Sequence, residues 1–134
     1  MSEALITRNY AREICDLIDE AVKAYSFANE DLQRLELEFS DLYHAFELLK
    51  LNAADMARIG SETKANRIER RNRKNAIERL RSFVNWSEEN KISIKNLNGV
   101  AAHIDRIIKQ QNERVYTPRV RKDLTKSFRE DLRK

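Results

Sequence analysis

The chain has 134 residues, of which 41% are hydrophobic and 36% are charged, and its formal net charge at pH 7 is +4. This is the length of one ordinary domain with a single hydrophobic core. It contains 2 glycines and 1 proline, where average composition would supply about 9 and about 7. So few turn-forming residues exclude an all-β fold with its closely spaced turns. We therefore predict a single all-α domain over residues 1–134, an elongated helical bundle of about four to five helices.

The charges are distributed unevenly along the chain. Residues 1–60 carry 12 acids and 6 bases, net −6, whereas residues 61–134 carry 10 acids and 20 bases, net +10. The basic excess lies in residues 61–81 and 114–134, each with 8 bases against 3 acids. We divide the predicted domain accordingly into an acidic helical hairpin, 1–60, and basic helices, 61–134. Such asymmetry indicates a polyanionic partner, most often nucleic acid.

The sequence offers no sign of membrane insertion or secretion. Its apolar runs are far shorter than the roughly 18 residues that span a bilayer, and Met1-Ser2-Glu3 lacks the basic start of a signal peptide. We therefore expect a cytoplasmic protein. The single cysteine, Cys15, has no partner for an internal disulfide, and its place on an apolar stripe predicts a buried packing residue.

In chain order, the first predicted helix begins after Ser2 as N-cap and runs to about Tyr25. Asn29 is the predicted N-cap of a second helix, because Glu30 and Asp31 place negative charge in its first turn. Its main feature is a heptad with alternating spacings of three and four. That coiled-coil-like seam, residues 32–56, consists of Leu32, Leu35, Phe39, Leu42, Phe46, Leu49, Ala53 and Met56.

Further apolar residues lie off this seam. They are Leu37, Tyr43, Leu48, Leu51 and Ile59. They indicate a second contact surface, so we expect a bundle that also assembles into a homo-oligomer.

Gly60-Ser61 reads as a helix end followed by an N-cap, which places the start of a third helix at about residue 62 and its end at about residue 86. Its sequence predicts two opposed faces at helical spacing. The apolar face contains Ala65, Ile68, Ala76, Leu80 and Phe83. The opposite face, called here the cationic stripe, contains Lys64, Arg67, Arg71, Lys74 and Arg81.

A fourth helix is predicted from Ser93, with an apolar heptad of Ile94, Leu97, Ala101, Ile104 and Ile108. If Asn98-Gly99 forms a turn instead, the helix begins at Val100. A helix-turn-helix around that turn is disfavoured, because the first turn of its second helix offers no polar groups for base edges. Thr117-Pro118 is an N-cap and N1 pair that predicts a short, basic last helix carrying Val120, Leu124, Phe128 and Leu132.

The function favoured by these patterns is non-enzymatic binding of DNA or RNA through the phosphate backbone, either directly or as an accessory to a nucleoprotein assembly. Lys and Arg supply most of the affinity for phosphates, and a straight helix presents several along one groove or strand. The primary candidate contacts are the cationic stripe, and the secondary ones are Arg119, Arg121 and Lys122. Few aromatic residues accompany either basic block, which favours backbone contacts over base stacking.

Other functions remain as alternatives. The main one is a helical protein-interaction module, such as an adaptor, assembly factor or inhibitor, that binds an acidic protein surface. The cationic stripe would otherwise pair with the acidic half, within one chain or between subunits. His44 with Asp41 and Glu47 is a weak metal pattern on an outer helix face. No catalytic motif, cofactor motif or convergent metal-ligand set is present in the sequence, so we predict neither an enzyme nor a cofactor or metal site.

Overall fold

All secondary-structure elements of the described residues are helices. The structure, a computed structural model, describes residues 2–133, and the side chains of residues 2–130. The helices are α1 (Glu3–Ile6), α2 (Tyr10–Leu48), α3 (Ala53–Glu89), α4 (Lys91–Glu113) and α5 (Thr125–Arg133), with a 3-10 helix at Lys122–Leu124. No strand occurs within residues 2–133, so the all-α prediction is confirmed. None of the described helices is long and apolar enough to cross a membrane.

The backbone contacts divide the chain into two compact units. One combines Met1–Cys15 with Ile92–Lys134, and the other is Asp16–Lys91. Helix α2 contributes its first six residues, 10–15, to the former unit and residues 16–48 to the latter. A single domain over the whole chain stays a prediction.

In the first unit, the start of α2 is fixed to α4. Asn9 Oδ1 accepts a hydrogen bond from the Arg12 backbone N–H at 3.1 Å, as an N-cap does. Its Nδ2 donates to Ala101 O at 3.1 Å and to Asp105 Oδ1 at 2.9 Å. Arg12 also pairs with Asp105 at 2.8 Å. The first predicted helix is therefore interrupted. Helix α1 follows Ser2 as predicted but ends at Ile6, and α2 begins at Tyr10, directly after Asn9.

The fourth helix is present, but it begins at Lys91, so the predicted N-cap Ser93 lies inside it. Helix α4 runs unbroken through Asn98-Gly99, and Asn98 Nδ2 donates to Ile94 O within the helix. The turn that a helix-turn-helix requires is therefore absent at this point. All members of the predicted heptad are buried or half-buried, and Ala101 is completely buried.

The predicted start of the last helix at Thr117-Pro118 is wrong. Residues 114–121 are not helical, and α5 begins at Thr125 after the 3-10 turn. The rings of Tyr116 and Phe128 meet edge to face with centroids 5.3 Å apart. A helix from residue 118 would carry Phe128 about 15 Å along its axis and out of reach. Val120 is exposed, and Leu132, Arg133 and Lys134 have side chains outside the described residues.

The second unit is a helical hairpin of α2 and α3, joined by residues 49–52. Asn52 Oδ1 accepts a hydrogen bond from Asp55 N at 2.8 Å and caps α3. The helices are antiparallel, since Leu35 lies opposite Asn66 and Asp31 lies opposite Arg73. The chain therefore reverses near residue 50.

Two predicted helix breaks are wrong. Asn29 lies inside α2, where its Nδ2 donates to Tyr25 O, and buried Ala28 and Leu35 on either side keep the helix continuous. Gly60 lies inside α3 with a helical backbone. The predicted heptad is consequently divided by the reversal. Leu32, Leu35, Phe39 and Leu42 are buried or half-buried, whereas Phe46, Leu49 and Met56 are exposed.

Candidate nucleic-acid interface

The face of α3 that packs on α2 is partly polar. Ile59, Asn66, Ile77, Val84 and Ser87 are buried, and the positions between them are half-buried at spacings of three and four: Thr63, Arg70, Arg73 and Leu80. The predicted apolar face is therefore wrong in part, because Ala65, Ile68 and Phe83 are exposed. One partner helix covers only a narrow seam, and five polar side chains occupy positions within it, those of Thr63, Asn66, Arg70, Arg73 and Ser87.

Asn66 and Arg70 form the centre of this polar seam. The Asn66 side chain, 2% exposed, donates from Nδ2 to Leu35 O at 2.9 Å and accepts from Arg70 Nε at 2.8 Å. The Arg70 guanidinium lies over the Phe39 ring at 4.2 Å from its centroid. Arg70 is thus committed to packing within the hairpin.

Arg73 is committed in the same way. Its Nε donates to Asp31 Oδ2 at 2.6 Å, and its guanidinium lies 5.9 Å from the centroid of the Phe27 ring. The hydrogen bond from Arg73, together with one from Arg34, lowers the pKa of the Asp31 carboxyl below its ordinary value. Asp31 is 11% exposed, so this pair belongs to the interface between the helices.

The cationic stripe has a different environment. Lys64, Arg67, Arg71, Lys74 and Arg81 are all exposed. Among the described side chains, none of them forms an ion pair or a hydrogen bond, although Arg70 and Arg73 of the same helix do. The stripe extends over 18 residues of helix, from Lys64 to Arg81, a length of about 25 Å. It lies beside the buried seam of α3, not opposite to it.

Shallow grooves follow the stripe along α3. One is lined by Lys64, Arg67 and Arg71 together with Gly60 and Thr63. The next is lined by Arg67, Arg70, Arg71, Lys74 and Asn75. Several of the cations therefore surround a common open surface, an arrangement that suits a chain of phosphates better than a single small anion.

The opposite charges of the hairpin are divided between its helices. Residues 16–48 of α2 carry 9 acids and 2 bases, whereas α3 carries 6 acids and 9 bases. Despite this division, the described side chains form a single ion pair between α2 and α3, that of Asp31 with Arg73. Ion pairing within the chain therefore involves Arg73, whereas the side chains of the cationic stripe remain available to an external ligand.

The secondary candidates near the C-terminus are less uniform. Arg119 and Lys122 are exposed. Arg121 pairs with Asp123 at 2.7 Å, and the hydrogen bond from Arg121 lowers the pKa of the Asp123 carboxyl. Both side chains of the pair are more than half exposed, so a phosphate could still compete for Arg121.

The remaining candidate residues differ in how far their side chains are buried. Of the off-seam residues, Leu37, Tyr43 and Leu48 are exposed, whereas Leu51 is half-buried and Ile59, 6% exposed, belongs to the core. Cys15 is buried as predicted. His44 Nδ1 lies 2.7 Å from Ser40 O, and the described residues contain no group of three or more His, Cys, Asp or Glu side chains arranged to hold a metal ion.

Sequence reasoning missed the internal roles of Asn66, Arg70 and Arg73. A signal was present, because residues 59, 63, 66, 70, 73, 77, 80, 84 and 87 continue one heptad spacing. It was obscured because polar residues occupy several of those positions. No protein-family model, curated protein or solved structure matches the chain.

Proposed function

We propose that this chain is a cytoplasmic, non-enzymatic protein that binds the phosphate backbone of DNA or RNA through the cationic stripe of α3. The observation that carries the proposal is the contrast within one helix. Arg70 and Arg73 are used in packing, whereas Lys64, Arg67, Arg71, Lys74 and Arg81 are exposed and unpaired among the described side chains.

The chemistry of the stripe favours phosphates over bases. Arg binds phosphate oxygens through paired N–H groups, and each neutralised phosphate releases counterions. No aromatic residue belongs to the stripe, so stacking of single-stranded bases has little support there. Duplex DNA or structured RNA is therefore the preferred ligand, with Arg119, Arg121 and Lys122 as secondary contacts.

Charge reversal on the stripe tests the proposal. The variant Arg67→Glu/Arg71→Glu/Lys74→Glu should bind duplex DNA and structured RNA at least about tenfold more weakly, because three phosphate contacts become repulsive. A matched control, Lys95→Glu/Arg106→Glu/Lys109→Glu, changes the net charge equally at exposed positions of α4. Fluorescence anisotropy measures both affinities, and circular dichroism confirms equal helicity. Equal loss in the two variants, or no loss in the first, would contradict the site.

A protein-interaction module is the second candidate function, favoured by the exposed apolar residues of α2. Leu37 and Leu48, 71% and 72% exposed, lie on one side of the helix, and Tyr43 and Phe46, 58% and 55% exposed, lie on another. Exposed apolar residues that share a face are typical of contact surfaces. The partner would be an acidic protein surface or, for a homo-oligomer, another copy of the chain. Under this proposal Leu48→Ser weakens partner capture while leaving affinity for polyanions unchanged.

A further inference from the structure

The second unit contains an apolar groove at the end of the hairpin where the chain reverses. Phe39, Leu42, Tyr43 and Phe46 line it from α2. Ile59, Gly60, Thr63, Arg67 and Arg70 line it from α3. Tyr43 and Phe46 are 58% and 55% exposed, so two aromatic side chains lie open to solvent in it.

Gly60 keeps this groove open beside the aromatic residues. It lies inside α3, where glycine is a poor helix former, and its φ is not positive. A Cβ built there meets no atom within 4 Å. Neither backbone conformation nor close packing within the chain requires glycine, whereas a side chain approaching from outside would use the space.

Opposite charges flank the groove. On α2, Glu36 and Glu47 are exposed and lie within about two turns of Tyr43, on its side of the helix. On α3, Arg67 lines the groove, and Lys64 and Arg71 line the adjoining groove. Across the hairpin, this face therefore presents an acidic edge, an apolar centre and a basic edge.

A face of this composition is complementary to itself. A two-fold rotation about an axis through the centre places the acidic edge of one copy against the basic edge of the other, and the apolar centres meet. We propose that the groove is a self-association surface, occupied by the same face of a second copy, with Glu36 and Glu47 near the partner's cationic edge. Tyr43 and Phe46 become buried at its centre, where aromatic residues contribute most to association.

Self-association has a consequence for the nucleic-acid site, and this part rests on the proposed function. The basic edge, Lys64, Arg67 and Arg71, belongs to the cationic stripe. A second copy covering that edge excludes phosphates from it, so dimerisation and polyanion binding compete. By linkage, each ligand weakens the other by the same factor.

The test compares two glycine substitutions by sedimentation over a range of protein concentrations. Gly60→Gln places the side chain of a good helix former in the groove and leaves every charge of the cationic stripe unchanged. Gly99→Gln is the matched control, because Gly99 is also an exposed helical glycine with nothing within 4 Å of a built Cβ. We expect the wild type and Gly99→Gln to self-associate equally, and Gly60→Gln at least tenfold more weakly with unchanged helicity. A monomeric wild type, or equal association of all three proteins, would overturn the proposal.

Addition of duplex DNA separates this inference from the proposed function. Dissociation of the dimer by DNA, with tighter DNA binding by Gly60→Gln than by the wild type, supports competition. A dimer that remains intact while it binds DNA overturns the competition. If Gly60→Gln weakens the dimer but the wild type does not bind DNA, the self-association surface is supported and only the nucleic-acid function is contradicted.

Discussion

At the scale of single residues, Asn66 is the polar group on which the packing of α2 against α3 is centred. Its amide faces two acceptors, Leu35 O at 2.9 Å and Glu38 Oε1 at 3.4 Å, while its carbonyl accepts from Arg70. A buried asparagine in an apolar seam favours one register, because its hydrogen bonds are lost when the helices shift. The sequence patterns did not single out Asn66, because polar residues are usually exposed.

Asn66→Asp should destabilise the protein by about 1–3 kcal/mol at pH 7. The new carboxylate cannot donate to Leu35 O and would lie near Glu38. On acidification the protonated carboxyl regains a donor, so the deficit should shrink. Urea unfolding at several pH values measures this, with the exposed Asn75→Asp as control. Equal effects of the two substitutions would show that Asn66 has no special role.

Asp31 should make stability depend on pH in one direction. The hydrogen bonds from Arg73 and Arg34 lower the pKa of the Asp31 carboxyl, so this group binds a proton less readily in the folded protein than in the unfolded chain. The stabilisation is fully present above the ordinary carboxyl pKa, about 3.9, and is lost as pH falls through the lowered value.

The comparison of wild type with Asp31→Asn by urea unfolding tests this dependence. The difference in unfolding free energy should be constant from neutral pH down to about pH 4 and should decrease below it. Asp41→Asn, at an exposed position of the same helix, is the control. A difference that grows on acidification would contradict the role of the pair.

At the scale of elements, the long helices continue through residues that usually end helices. Asn29, Gly60 and Asn98-Gly99 each lie inside a helix. A single unfavourable residue costs about 1 kcal/mol in a helix, whereas burying one large apolar side chain contributes about 1.5–3 kcal/mol. Local sequence signals therefore predicted the helical class and the heptad of α4 correctly but misplaced the junctions.

Gly99→Ala tests the continuity of α4. Gly99 has a helical backbone and open space at its Cβ position, so alanine should raise the free energy of unfolding by about 0.5–1 kcal/mol. Thermal and urea unfolding measure the change. Destabilisation would instead indicate a turn at Asn98-Gly99 that needs glycine.

At the scale of the whole chain, the sequence divides into an acidic N-terminal part and a basic C-terminal part. In the second unit this division falls between α2, which is mainly acidic, and α3, which is mainly basic. The cationic stripe could be predicted, because exposed positions at helical spacing follow directly from the residue order. Which arginines remain available could not, because Arg70 and Arg73 differ from Arg67 and Arg71 only in facing α2. That distinction requires the position of the partner helix.

The salt dependence of duplex binding tests the central claim most directly, since its slope counts the phosphates neutralised. Anisotropy titrations of wild type, Arg71→Glu and Arg106→Glu should be made from low to above physiological salt. We predict a steep slope for the wild type, about −0.9 for each contact in a log–log plot, a slope shallower by about one contact for Arg71→Glu, and no change for Arg106→Glu. A wild-type affinity that is independent of salt, or identical slopes for all three proteins, would contradict phosphate binding by the cationic stripe.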